Sequence, residues 1–201
     1  PKTTDADRPS GFVIFMEQSP RKTIYDTCFY ASETLLGASF NTELAYRMGR
    51  TVGNESLVGN ERGEGQRPYS GWYAPAANIH RSPFSGRNWE YYSEDPLLSG
   101  KMAANVITGA AEKGTYCYMK HFAVNDQETS REGVLTWANE QAMREIYFRP
   151  FEIAVKEGGA TAMMSSFNRI GTTWAGGDYR LLTQLLREEW GFKGMVITDF
   201  N

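Results

Sequence analysis

Gly194-Met195-Val196-Ile197-Thr198-Asp199-Phe200-Asn201 closes the chain. Met195–Ile197 is a short apolar run behind a glycine, the pattern of a buried strand rather than a helix turn. Thr198 breaks the run and Asp199 follows at once, a carboxylate that is costly to desolvate without partners. An aspartate at a strand end commonly serves as a helix N-cap or a loop salt bridge. Here three earlier apolar stretches also end in side chains able to do chemistry. The chain therefore reads as strands delivering groups to Asp199.

Working back from that strand, Asp178 is placed to cap a helix whose stripe is Leu181, Leu182, Leu185 and Leu186, ended by Gly191. Ala160–Phe167 (ATAMMSSF) precedes it as a strand, with a Gly-rich turn between. Before that, Met143, Tyr147, Phe151 and Val155 mark a helix that Pro150 must split or kink, since an interior proline costs about 3 kcal/mol. Thr115–Phe122 (TYCYMKHF) is another strand, followed by a polar loop over 123–136. Ser93 is expected to cap the helix carrying Leu98, Met102 and Val106, which Gly114 ends.

Gly71–Ile79 (GWYAPAANI) has strand length, although Pro75 marks an irregular or terminal part of it. Further upstream, Asn41 caps a helix over Thr42–Leu57, and 59–69 is a Gly- and charge-rich loop. Gly11–Met16 (GFVIFM) is read as a strand, with a loop around Ser19-Pro20.

Alternating short apolar strands and amphipathic helices imply parallel strands with crossover helices. No G-x-G-x-x-G follows an early strand and no phosphate loop is present, which disfavours an open doubly wound sheet. The fold class is α/β, a parallel (β/α)8 TIM-like barrel. A full barrel takes about 250 residues, so the 201 here make an incomplete one, read as part of a single domain over 1–201, with 1–30 the least defined.

The 24 acidic and 21 basic residues give a net charge of -3, no footprint for nucleic acid or an anionic membrane. No apolar run is long enough to span a bilayer and no signal-peptide pattern opens the chain. It begins at Pro1 rather than Met, so an N-terminal extension or leader is left open; cytoplasm is slightly favoured over export. A homo-oligomer is compatible with the sequence. Cys28 and Cys117 are too few for a disulfide scaffold, and with His80 and His121 they show no metal-ligand spacing. No cofactor is expected.

In such a barrel, function sits where strands end and βα loops begin. Arg87, the Lys120-His121 pair, Met164 and Asp199 occupy those positions. Each has an ordinary use: a surface arginine paired with Glu90 or Glu94, a lysine reaching the barrel mouth, a core histidine, a core methionine. Lys120 and His121 are neighbours on one strand and should face opposite ways, so both reach one ligand only if the strand ends or bulges there. Cationic donors around a carboxylate, with aromatics nearby, suit a neutral polyhydroxylated ligand. Asp199, kept ionised by those cations, could attack an anomeric carbon. Retention needs a second carboxyl group about 5–5.5 Å away; Glu90, Glu128 and Glu132 are in range by loop position, and spacing selects none of them.

Several motifs in order carry a resemblance. They are Arg81-Ser82-Pro83-Phe84-Ser85-Gly86-Arg87-Asn88-Trp89-Glu90 with Ser93-Glu94-Asp95-Pro96, Lys120-His121-Phe122 with Asn125-Asp126-Gln127-Glu128, and Arg144-Glu145-Ile146-Tyr147 with Pro150-Phe151. Met164-Ser165-Ser166-Phe167-Asn168 and Gly191-Phe192-Lys193-Gly194 before Thr198-Asp199 complete the set. Over 30–201 the chain resembles glycoside hydrolase family 3. The resemblance implies an exo-acting β-glucosidase working by double displacement on a β-linked glucoside or oligosaccharide. Asp199 matches the nucleophile. Arg87, Lys120 and His121 match residues that hold the nonreducing-end sugar, Met164 a residue against it, and Arg131 a supporting arginine.

Three departures accompany it. The family's first strands, with a further sugar-binding aspartate, find no counterpart in this reading. No histidine follows in 123–132 to act as acid/base. The acid/base of the commoner branch comes from a further α/β domain beyond Asp199. Two other readings stay open: a lyase forming a Schiff base on Lys120, and a non-catalytic sugar-binding barrel.

Overall fold

The computed structural model describes residues 5–7, 9–12, 28–58 and 69–200. Five strands form one parallel sheet: β1 (Asp5–Asp7), β2 (Gly71–Tyr73), β3 (Tyr116–Phe122), β5 (Ala162–Ser165) and β8 (Met195–Ile197), side by side in that order. Between them run α1 (Glu33–Ala38), α2 (Thr42–Val58), α3 (Pro96–Ala111), α4 (Glu140–Ala142) and α5 (Arg149–Lys156). A π-helical turn (Met143–Tyr147) joins α4 to α5, and a π-helix (Arg180–Glu189) leads to β8. This is the strand-and-crossover arrangement of part of a TIM-like barrel. No described helix is long and apolar enough to cross a membrane.

Local chemistry accounts for most boundaries. Asn41 Oδ1 accepts the Leu44 N–H at 3.0 Å and starts α2. The cap of α3 is Asp95, not Ser93: Asp95 Oδ1 accepts from Leu98 N at 2.7 Å with Pro96 in the first turn, while Ser93 Oγ accepts from Asp95 N. Both residues are cap formers, and the proline decides, because its fixed φ belongs just after the cap. Pro150 divides the 140–156 helix as expected, sitting in the first turn of α5. Asp178 Oδ1 accepts from Arg180 N at 2.9 Å ahead of the last helix.

The β2 strand stops at Tyr73, well short of Ile79. Beyond a cis Ala74–Pro75 bond the ladder with β3 is reduced to an isolated Ala76–Lys120 bridge, a proline having no N–H for the ladder. Residues 135–136, 169–170 and 173–174 form β4, β6 and β7, a small sheet in place of the expected loop and Gly-rich turn. The strand expected over Gly11–Met16 and the loops at Ser19-Pro20 and 59–68 fall mostly outside the described residues. Phe12 is buried and stacks on Tyr69 at 4.8 Å.

Candidate active site

Strand β3 brings the site together. Its pairing with β5 shifts register between Met119 and Phe122, an irregularity that lets neighbouring Lys120 and His121 serve one region. Lys120 Nζ donates to Asp7 Oδ1 at 2.9 Å and lies 3.1 Å from Glu90 Oε1. The other Glu90 oxygen accepts from Arg87 Nε at 2.6 Å. Arg87 Nη1 reaches Glu128 Oε1 at 3.4 Å, and Arg131 Nη1 donates to Glu128 Oε2 at 2.9 Å. Arg131 also lies over the Phe167 ring at 4.2 Å.

Asp199, just past β8, has its Oδ2 3.7 Å from His121 Nε2. Arg87, Lys120, Met164, Asp199 and Arg131 line one cavity of about 480 Å³, with Asp7, Glu90, Glu128, Trp89 and Phe200. His121 sits beneath that wall, 1% exposed. Asn78 clamps the His121 backbone in place: His121 N donates to Asn78 Oδ1 at 2.8 Å, and Asn78 Nδ2 to His121 O at 3.0 Å.

Charges follow from these contacts. Burial disfavours the Lys120 ammonium, but Glu90 and Asp7 more than offset that and raise its pKa. Burial likewise opposes Arg87, and Tyr91, Glu90 and Glu128 hold it protonated. Burial, helped by Arg87, Lys120 and Arg131, pushes His121 well below the usual imidazole range, so the ring is neutral. Arg87 Nη2 lies 3.2 Å from His121 Nε2. A guanidinium only donates, so Nε2 accepts and the ring proton is on Nδ1.

Asp199 differs from the sequence expectation. Burial raises its pKa above the ordinary aspartate value, and Lys120, Arg87 and Arg131 recover only part of that. Burial outweighs those cations, and Asp7 adds to it. Asp199 Oδ2 is left without a hydrogen-bond partner among the described residues.

Two acidic residues here were not legible as site members. Asp7 ends a first strand that pairs with β2 and meets Lys120, in the stretch where the sequence offered no clear counterpart to the family's first strands. The available signal was Thr4-Asp5-Ala6-Asp7 ahead of Pro9, an echo of Thr198-Asp199. A three-residue strand holding two aspartates has little β-propensity to announce it. Glu33, on α1, is 1% exposed and both its oxygens accept the Ala76 N–H at 3.0 Å. Burial and the nearby Glu90 raise its pKa well above the carboxylate range.

The family model "Glycosyl hydrolase family 3 N terminal domain" matches residues 20–201. The chain belongs to glycosyl hydrolase family 3. Beta-glucosidase A of Butyrivibrio fibrisolvens is 39% identical over 200 residues, covering 100% of this chain and 22% of that protein. Beta-glucosidase B of Emericella nidulans is 42% identical over 174 residues, covering 87% of this chain and 20% of its own length. Beta-glucosidase 3B from Thermotoga neapolitana, solved in complex with glucose, superimposes with a TM-score of 0.90 at 40% identity, over 99% of this chain and 27% of that one. The chain thus spans about a fifth of the length of the curated family 3 relatives it matches.

Proposed function

We propose that this chain is the N-terminal barrel part of a retaining, exo-acting β-glucosidase with Asp199 as nucleophile. The observation that carries the reading is Asp199 opening, beside Lys120, Arg87 and Met164, into one cavity at the strand ends. The beta-glucosidase names of the relatives support the substrate class. A glucosyl residue enters the cavity nonreducing end first. Lys120, Arg87, Asp7 and Glu90 offer donors and acceptors to its hydroxyls, and Met164 packs on its apolar face; His121 steadies Arg87 from below. An Asp199 oxygen attacks the anomeric carbon, the glycosidic C–O bond breaks, and the leaving oxygen takes a proton. Water then releases glucose from the aspartyl ester.

The proton donor is assigned to a further α/β domain of the same enzyme. Glu90 is held by two cations and Glu128 by two arginines, so the oxygens of both are engaged in ion pairs. Exposed Glu132 does not line the cavity. The Schiff-base alternative needs a neutral Lys120 amine, whereas two carboxylates favour its ammonium.

A 2-deoxy-2-fluoro glucoside with a good leaving group, given to the full-length enzyme, tests the reading. Label is expected on the peptide holding Asp199, and Asp199→Asn is expected to lower kcat by roughly 10⁴-fold or more. Stable label on another residue defeats the assignment. Sugar binding without label or turnover favours the non-catalytic barrel.

A further inference from the structure

The backbone of Lys120 is set against residues 75–77. Lys120 N donates to Pro75 O at 2.9 Å, and Ala77 N donates to Lys120 O at 2.8 Å. Successive N–H groups of an extended chain point to alternate sides, so the Ala76 N–H faces away from β3. The strand on that side is β1, whose pairing with β2 ends at Asp7 opposite Tyr73. A buried N–H without an acceptor is costly. Glu33, the first residue of α1, supplies the acceptor, with both oxygens 3.0 Å from Ala76 N.

The next residue of α1 reaches the other half of the site. The Thr34 hydroxyl lies within hydrogen-bond distance of Asn88 O and of Tyr91 O, the second at 2.9 Å. Glu90 lies between those two carbonyls, in a turn closed by Glu90 N donating to Arg87 O at 2.9 Å. The same turn carries Arg87, paired with Glu90 at 2.6 Å. Helix α1 is itself fixed. Ser32 Oγ accepts from Leu35 N at 3.3 Å at its start, and a Cβ on Gly37 would run into the backbone carbonyl of Tyr92.

One helical turn thus touches both segments that present Lys120, Arg87 and Glu90 to the Asp199 cavity, although neither Glu33 nor Thr34 lines that cavity. A carboxyl group buried to 1% exposure is a costly acceptor for a single N–H. Burial and Glu90 raise the Glu33 pKa, opposed by the Ala76 N–H, Lys120 and Arg87. Glu33 therefore serves as a hydrogen-bonding group rather than as a fixed charge.

We propose that the first turn of α1 is a positioning element for the glycosidase site. Glu33 acts through Ala76 on Lys120, and Thr34 acts through the 88–91 turn on Glu90. Together they hold Lys120 Nζ and Glu90 Oε1 at their 3.1 Å separation and present both to the sugar in one geometry. The role in substrate handling rests on the β-glucosidase reading.

A double-mutant cycle in the full-length enzyme tests this, because coupling separates action through Lys120 from a general loss of packing. Glu33→Leu is expected to lower kcat/KM for 4-nitrophenyl β-glucoside about 30-fold, within the roughly 10²-fold that a 1 Å misplacement can cost. In a Lys120→Met background the same change should cost less than about threefold. Glu33→Gln keeps an acceptor for Ala76 N and is expected to recover most of the loss. Equal losses in both backgrounds, or no loss from Glu33→Leu, overturn the proposal and leave Glu33 a packing residue. If urea titration shows Glu33→Leu to be unfolded, Thr34→Val combined with Glu90→Gln decides in the same way: coupled losses support the proposal and additive losses overturn it. Failure of the glycosidase reading shows separately, as a parent enzyme that hydrolyses no glucoside. The cycle is then read on the Kd for glucose by titration calorimetry, where coupling again supports the positioning role and additivity overturns it.

Discussion

Glu90 has both oxygens committed, one to Arg87 and one to Lys120, with its side chain 2% exposed. Removing one partner of a buried ion pair strands the other, at about 3–5 kcal/mol. Glu90→Ala is therefore expected to destabilise the full-length enzyme by about that amount in urea titrations, well beyond the effect of Glu90→Gln, which keeps an acceptor. The raised pKa of Asp199 has a kinetic consequence. With Asp199 as the proposed nucleophile, turnover needs its ionised form, so the acid limb of kcat/KM is expected to lie above the range of an ordinary aspartate. Lys120 pulls that pKa down, so in Lys120→Met the limb should move to still higher pH; a limb moving the other way contradicts the assignment. Asp126 is pushed up to about 7 by burial. Its folded pKa exceeds the unfolded one, so the native state holds the proton more tightly. Stability then falls as pH rises from about 4 to 7, by at most about 1.4 kcal/mol for each pH step of one. Denaturant titrations of Asp126→Asn across that window should show a flatter dependence than the parent protein.

Helices α2 and α3 meet through glycines. A Cβ on Gly109 would collide with the Tyr46 carbonyl and stand 2.7 Å from Arg50 N, both backbone atoms of α2 that cannot step aside. Helix propensity alone makes Gly109→Ala stabilising by about 1 kcal/mol. Overpacking against backbone costs about 1–3 kcal/mol and should win, so Gly109→Ala is expected to lower the thermal midpoint. An unchanged or raised midpoint would mean the two helices slide apart freely. At this scale the sequence was most readable where a side chain acts on its own backbone: Asn41 beginning α2, Pro150 dividing the 140–156 helix, Asp178 ahead of the last helix. It was least readable where pairing depends on a distant partner. Strands of two residues are too short to show any periodicity, and β4 and β6 exist only because Leu135 and Thr136 find Arg169 and Ile170.

At the scale of the molecule, four of the five parallel strands carry Asp7, Lys120, Met164 and Asp199 to one rim. Every other described carboxylate lining that cavity is already engaged by cations: Asp7 and Glu90 with Lys120, Glu128 with two arginines. Residues 1–201 produced alone are therefore expected to hydrolyse an aryl β-glucoside at no more than background rate, while the full-length enzyme turns it over. Activity of the isolated segment would show that an acid/base lies within it. The sequence by itself determined the alternation of strand and helix, because apolar period and capping chemistry are local. It also determined the residues at most strand ends, since each follows directly on its own apolar run. Tertiary structure alone decided which charges meet. Asp7 is 113 residues from Lys120, and Glu33 43 from Ala76. Burial and pairing are properties of the assembled rim, so the neutral His121, the protonated Lys120 and the raised pKa of Asp199 have no counterpart in any stretch of sequence.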